Sequence, residues 1–154
     1  MKKLELVGQG SQPNFIGSWL LDSKDICDDL IDYFESNEQK QKQGVTGGGE
    51  HLETKNSVDI TIAPSELGCP GNEVFKAYLA ALFSCYRDYV NDWPFLKSLA
   101  KNLEIAPFNI QRYERGQHFQ KVHTERSGIG TVNRVFAWMT YLNDVDAGNG
   151  GATT

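Results

Sequence analysis

The chain has 154 residues and a mass of 17.2 kDa, 40% apolar and 23% charged, enough for one domain that buries a core without disulfides or a metal staple and too little for two. Fifteen Lys and Arg against twenty Asp and Glu leave a net charge of -5 and a pI near 5.2, which argues against a general polyanion-binding surface, so no nucleic-acid partner is expected. Mean hydropathy is -0.44 and no apolar run approaches the roughly 20 residues of a membrane helix, so a cytoplasmic protein with no membrane partner is expected.

Met1-Lys2-Lys3 opens like a signal peptide, but Leu4-Glu5-Leu6-Val7-Gly8-Gln9-Gly10 puts a charge and glycines where an apolar region belongs. Lys3 to Val7 is expected as a short strand, and Phe15-Ile16-Gly17-Ser18-Trp19-Leu20 leads into the next element. Ser23 offers an N-cap to a helix from Asp25 to Glu35, where Ile26, Cys27, Leu30, Ile31 and Phe34 follow helical spacing. Asn37 to Glu50 has no apolar periodicity and holds Gly44, Gly47, Gly48 and Gly49, the composition of a mobile loop. Ser57 to Ile62 alternates as a strand, and Ala63 to Asn72 is a Pro/Gly-rich turn.

The strongest helix is expected from about Glu73 to Val90, with Val74, Tyr78, Leu82, Tyr86 and Val90 at every fourth position and Asn72 as its cap. A short amphipathic piece, Leu96 to Leu103, follows Pro94. Strands are then expected at Glu104 to Glu114, with Phe108, Ile110 and Arg112 on one face and Asn109, Gln111 and Tyr113 on the other, at Phe119 to Glu125, and at Asn133 to Leu142. Ala152-Thr153-Thr154 starts one more strand. A hairpin stopped there would leave an edge unpaired, so the chain is expected to be a C-terminally truncated piece of a longer reading frame. Cys27, Cys69 and Cys85 are odd in number, widely spaced and without a CxxC pair, and are expected as reduced thiols.

Helices first and antiparallel strands afterwards indicate an α+β domain, a β-sandwich or jelly roll with supporting N-terminal helices. Residues 1–103 form the helix-rich support and residues 104–154 the first part of the β core. In that second part His123-Thr124-Glu125 spaces an imidazole and a carboxylate at i and i+2, which on a strand face the same side and converge on one metal ion. One His and one carboxylate are two thirds of the facial triad that holds non-haem Fe(II). Standing alone, the triplet also fits a solvated His and Glu on a strand edge.

The flanking sequence adds to this. Gln111-Arg112-Tyr113-Glu114-Arg115-Gly116-Gln117-His118-Phe119 precedes the pair, and Tyr141-Leu142-Asn143-Asp144-Val145 and Gly150-Gly151-Ala152-Thr153 follow it. In this order the motifs resemble the prolyl 4-hydroxylase type of Fe(II)/2-oxoglutarate-dependent oxygenases, over roughly the last third of the chain. A weaker similarity reaches Lys55-Asn56-Ser57-Val58-Asp59-Ile60, where that family often has a basic residue and a serine before a strand. The resemblance implies a double-stranded β-helix, incomplete at its C-terminus, with His123 and Glu125 as two of three iron ligands. It implies Tyr113 and Thr153 beside 2-oxoglutarate, and Fe(II), 2-oxoglutarate and O2 as the reacting set. The implied reaction hydroxylates a C–H bond on a peptide or protein side chain such as proline, with a small-molecule substrate as the alternative.

Three features depart from the family. Glu125 stands where Asp is commoner, Tyr113 to His123 is one residue longer, and the distal His and the following Lys or Arg have no counterpart before Thr154. His51 and His118 read as surface histidines, and Arg112 and Arg134 as salt-bridge partners on the sheet. Gly44 to Glu50 and Arg126 to Val132 correspond, by resemblance, to segments that close over substrate. Two other classes fit the same residues: a non-catalytic jelly-roll binding or structural module, and a different divalent-metal enzyme.

Overall fold

Ser23 accepts the Asp25 N–H at 3.1 Å and starts helix α1, Asp25–Ser36, whose first turn carries Asp25 and Asp28 at the positive end of the helix dipole. The computed structural model describes residues 1–5, 14–99, 102–146 and 148. At the other end of α1, Asn37 Nδ2 donates to Tyr33 O at 2.8 Å and Gln41 Nε2 to Phe34 O at 2.9 Å, so two terminal carbonyls are satisfied by side chains. The buried stripe of α1 is Leu30, Tyr33 and Phe34.

Helix α2, Val74–Asp92, buries Phe75, Tyr78 and Val90. Asn72 does not cap it with its side chain, as the sequence suggests. Its amide is buried and donates to Glu66 O at 2.7 Å, closing the Ala63 to Asn72 turn, while its carbonyl accepts the Phe75 N–H. That turn is also pinned by Glu66, whose carboxylate accepts the Ala63 N–H at 2.7 Å. Helix α3, Leu96–Leu99, occupies the start of the expected Leu96 to Leu103 segment.

Seven short strands form three separate sheets among the described residues. β1, Lys2–Leu4, pairs antiparallel with β2, Ser18–Leu20. This hairpin is tied to α2 by Trp19 Nε1 donating to Asp88 at 2.8 Å and by Lys3 pairing with Asp92. β3, Lys42–Gln43, pairs with β5, Val58–Ile62, which pairs in turn with β6, Phe108–Arg112. β4, Lys55–Asn56, pairs with β7, His118–Phe119.

The register sets Ile60 opposite Ile110 and Asp59 opposite Gln111. Alternation then gives the three-stranded sheet two unlike faces. Val58, Ile60, Ile62, Phe108 and Ile110 pack on Leu30, Phe34, Phe75 and Tyr78 of the two long helices. The Phe75 ring lies edge-on to Tyr33 at 4.9 Å and to Phe108 at 5.7 Å. The opposite face is polar, with Asp59, Thr61, Asn109 and Gln111, and Thr61 Oγ1 donates to Asn109 Oδ1 at 2.8 Å. Arg112 lies over the Phe34 ring and pairs with Glu35 at 3.0 Å, a salt bridge to α1.

The described residues depart from the expected strands at two places. Only Phe119 of the Phe119 to Glu125 segment is in a strand, and residues 133–142 pair with none. Phe136 instead packs edge-on to Tyr86 and Tyr89 of α2, Trp138 Nε1 donates to Tyr78 OH at 3.1 Å, and Tyr78 OH and Thr140 Oγ1 share a hydrogen bond at 3.0 Å. A period of two reports an extended chain with one covered side, and here a helix supplies the cover that a sheet would. The segment 37–50, expected as a loop, contributes β3 because Lys42 and Gln43 extend the polar-edged sheet. The described residues therefore form a mixed α/β unit with small sheets and three helices, and no closed barrel is formed among them. Thr153 and the expected Ala152 to Thr154 strand lie outside the described residues. No described helix is long and apolar enough to cross a membrane.

Candidate functional site

After β7 the chain runs on without a sheet partner, and the side chains of His123 and Glu125 are about half exposed. The imidazole stacks on Phe119 with ring centroids 4.6 Å apart. Its Nδ1 lies 2.9 Å from Lys121 O. A carbonyl only accepts, so Nδ1 is the donor in this contact. The ring's Nε2 is 3.4 Å from Glu125 Oε1. At this separation an Nε2–H can donate to the carboxylate, or the two atoms can share a cation. Two ligands each about 2.1 Å from one ion, in octahedral or tetrahedral arrangement, stand about 3.0 to 3.4 Å apart, so the spacing is compatible with a shared ion as well as with a direct ion pair. The other carboxylate oxygen, Oε2, accepts from Arg134 at 2.9 Å, which orients the group from outside. Arg134 is thus a salt-bridge partner, as its sequence position suggested, but off the sheet. Among the described residues no third His, Cys, Asp or Glu closes on the pair to make a three-residue metal group.

Tyr113, directly after β6, is part-exposed and its hydroxyl lies 3.3 Å from Gln111 Oε1. Partial burial, with the Asp59 charge adding to it and Ser57 acting against, holds its phenol above the ordinary tyrosine range. It is therefore protonated at neutral pH, a donor for a carboxylate.

Beside Tyr113 lies a polar cluster that the sequence marks only by the weak Lys55 to Ile60 similarity. Lys55, Ser57 and Asp59 are all buried. Lys55 Nζ donates to Asp59 Oδ2 at 2.6 Å, Ser57 Oγ to Asp59 Oδ1 at 2.8 Å, and Gln111 Nε2 to Asp59 Oδ2 at 3.1 Å. The strand carrying Lys55 and the strand carrying Phe119 are neighbours in register, and Lys55 Nζ is 5.8 Å from the Phe119 ring. Phe119 is thus a shared contact of the cluster and of His123. Gly44 faces the cluster on another side, where a Cβ would fall 2.1 Å from Ser57 Oγ. The signal for this cluster in the sequence is Lys55, Ser57 and Asp59 at spacing two, polar residues on successive same-side positions, which alternation alone assigns to solvent.

The remaining candidates separate from the site. His51 Nε2 lies 3.2 Å from Gly48 O within its own turn, and the His118 ring sits between Glu53 O and Gly116 O at 3.3 and 3.4 Å. Cys27, Cys69 and Cys85 are free thiols, and burial pushes those of Cys27 and Cys85 up, away from reactivity. Comparison of the chain with family models, with curated proteins and with solved structures returned no match.

Proposed function

We propose that the chain carries the metal- and cosubstrate-binding part of a cytoplasmic Fe(II)/2-oxoglutarate-dependent dioxygenase of the prolyl 4-hydroxylase type, one that hydroxylates a C–H bond on a peptidyl side chain such as proline. The observation that carries this reading is the His123–Glu125 pair, with an imidazole nitrogen and a carboxylate oxygen 3.4 Å apart. The motif order around them supplies the family, and the jelly roll belongs to the same proposal. Fe(II), when bound with 2-oxoglutarate and O2, supplies the oxidising power for C–H hydroxylation. The chain's own residues hold and orient. His123 and Glu125 offer one nitrogen and one oxygen, Arg134 fixes the free carboxylate oxygen, and the half-exposed position leaves room for further ligands. Tyr113, kept protonated, donates to a 2-oxoglutarate carboxylate, with Thr153 assigned to the same cosubstrate by its place in the motif.

The test is thermal denaturation with Fe(II) under anaerobic conditions, with 2-oxoglutarate, and with both. Ligand at a hundredfold excess over its Kd stabilises by about 2.7 kcal/mol. Both together are expected to raise the midpoint more than either alone, and His123→Ala is expected to abolish the effect. Absence of any shift in the wild type refutes the reading.

A second reading, a non-catalytic binding or structural module, is favoured by Arg134: with His123 protonated, Glu125 is satisfied on both oxygens by side chains. It predicts no shift with metal and 2-oxoglutarate.

A further inference from the structure

Asp59 and Gln111 are directly opposed in the β5–β6 register and share the polar face of the sheet. Asp59 accepts from Lys55, Ser57 and Gln111, so three donors hold its carboxylate. Only the NH2 of an amide donates, so the bond from Gln111 Nε2 to Asp59 turns Gln111 Oε1 the other way. There Oε1 lies 3.3 Å from the Tyr113 hydroxyl. A buried ion pair often adds no more to stability than apolar side chains of the same volume, so what this cluster holds in place is the more informative question.

We propose that Asp59, acting through Gln111, is a positioning residue for Tyr113, fixing the phenol oxygen where the carboxylate of a 2-oxo acid cosubstrate docks. The inference rests on the oxygenase reading for the ligand of Tyr113, and on side-chain geometry alone for the network. Asp59 sets the amide orientation, the amide and the Asp59-bound Ser57 both bear on the hydroxyl, and the long bond at 3.3 Å lets the hydroxyl proton turn from Gln111 to an arriving carboxylate without moving the oxygen. The Asp59 charge also favours the protonated phenol, the form that donates.

Gln111→Met tests this while leaving the Lys55–Asp59 pair intact, and Asp59→Asn tests it from the other end. The first readout is the Tyr113 phenol titration, followed by NMR on the whole chain with isotope-labelled tyrosine and assigned with Tyr113→Phe. Loss of the acceptor at Gln111, or of the charge at Asp59, destabilises the protonated phenol, so both variants are expected to titrate at lower pH than the wild type. The second readout is the 2-oxoglutarate affinity in the presence of Mn(II). It is expected to weaken about tenfold in Gln111→Met, the loss of one well-placed hydrogen bond, with Mn(II) affinity unchanged. An unchanged Tyr113 titration in Gln111→Met overturns the network, and so does an unchanged 2-oxoglutarate affinity in a protein whose wild type binds it. If the wild type binds no 2-oxoglutarate, the oxygenase reading and the cosubstrate role fail together, and the titration still decides whether Asp59 positions Tyr113.

Discussion

Lys55→Met removes a charge that the fold has fully enclosed, and its cost follows from what each partner keeps. The Lys55 and Asp59 side chains are 4% and 8% exposed, with Nζ and Oδ2 2.6 Å apart. Removing one member of a buried pair costs about 3–5 kcal/mol, because the other charge is left without compensation. Asp59 retains two donors, Ser57 and Gln111, and Met fills most of the lysine stem's volume, so Lys55→Met is expected at the low end, about 3 kcal/mol. Asp59→Leu leaves the ammonium, among the described residues, with the Phe119 ring 5.8 Å away as its charge-compensating contact, worth about 0.5–2 kcal/mol, and is expected at the high end, about 5 kcal/mol. The double variant leaves no lone charge, and is expected to cost less than the sum by about 2–3 kcal/mol. Urea unfolding followed by tryptophan fluorescence measures all three, since the chain has three tryptophans. A loss below about 1 kcal/mol for Lys55→Met at unchanged urea slope, or a double variant equal to the sum of the singles, refutes the argument that the pair is enclosed and coupled.

Three further outcomes are expected. Gly44→Ala drives a Cβ to 2.1 Å from Ser57 Oγ, and Ser57 is fully buried and bound to Asp59, so it has nowhere to withdraw; a loss of about 2–4 kcal/mol is expected from overpacking and the broken hydrogen bond, and a neutral result in urea unfolding contradicts it. Tyr78→Phe removes the hydroxyl that joins Trp138 and Thr140 to α2, and faster amide hydrogen exchange over residues 136–142 is the expected sign. Burial, partly offset by the two hydrogen bonds, holds the Tyr78 phenol above its ordinary value. The unfolded chain thus loses this proton first as pH rises, so the stabilising contribution is complete below about pH 10 and is lost through the folded-state value above it. Stability measured against pH is expected to decline over that alkaline range, and less steeply in Tyr78→Phe.

Several elements were legible because their side-chain period matches their burial. The stripes of α1 and α2 at Leu30, Phe34 and Tyr78, and the alternation of Val58, Ile60 and Ile62 against Phe108 and Ile110, are residues that form the core. The Arg112 and Arg134 salt bridges also follow from residue type, since each guanidinium has a carboxylate within reach. The cap at Asn72 and the strand at residues 133–142 were misread for a common reason. Residue type and period state what a side chain needs, a hydrogen-bond partner or a covered face, and do not state which neighbour supplies it. Glu66 O took the Asn72 amide, α2 covered Phe136, and Leu142 packs against the core.

The sequence by itself determined most of the core, the two long helices, and the polar and apolar faces of β5 and β6. Only the tertiary structure decided that Lys55, Ser57 and Asp59 are buried, that they meet Gln111 and Tyr113 from another strand, and that Phe119 joins this cluster to His123. Alternation assigns a polar residue to the solvent face, because burying a charge alone is costly. Whether that face instead meets a compensating partner depends on strand register and on contacts between residues more than fifty positions apart, as between Asp59 and Gln111, and no local pattern carries that information.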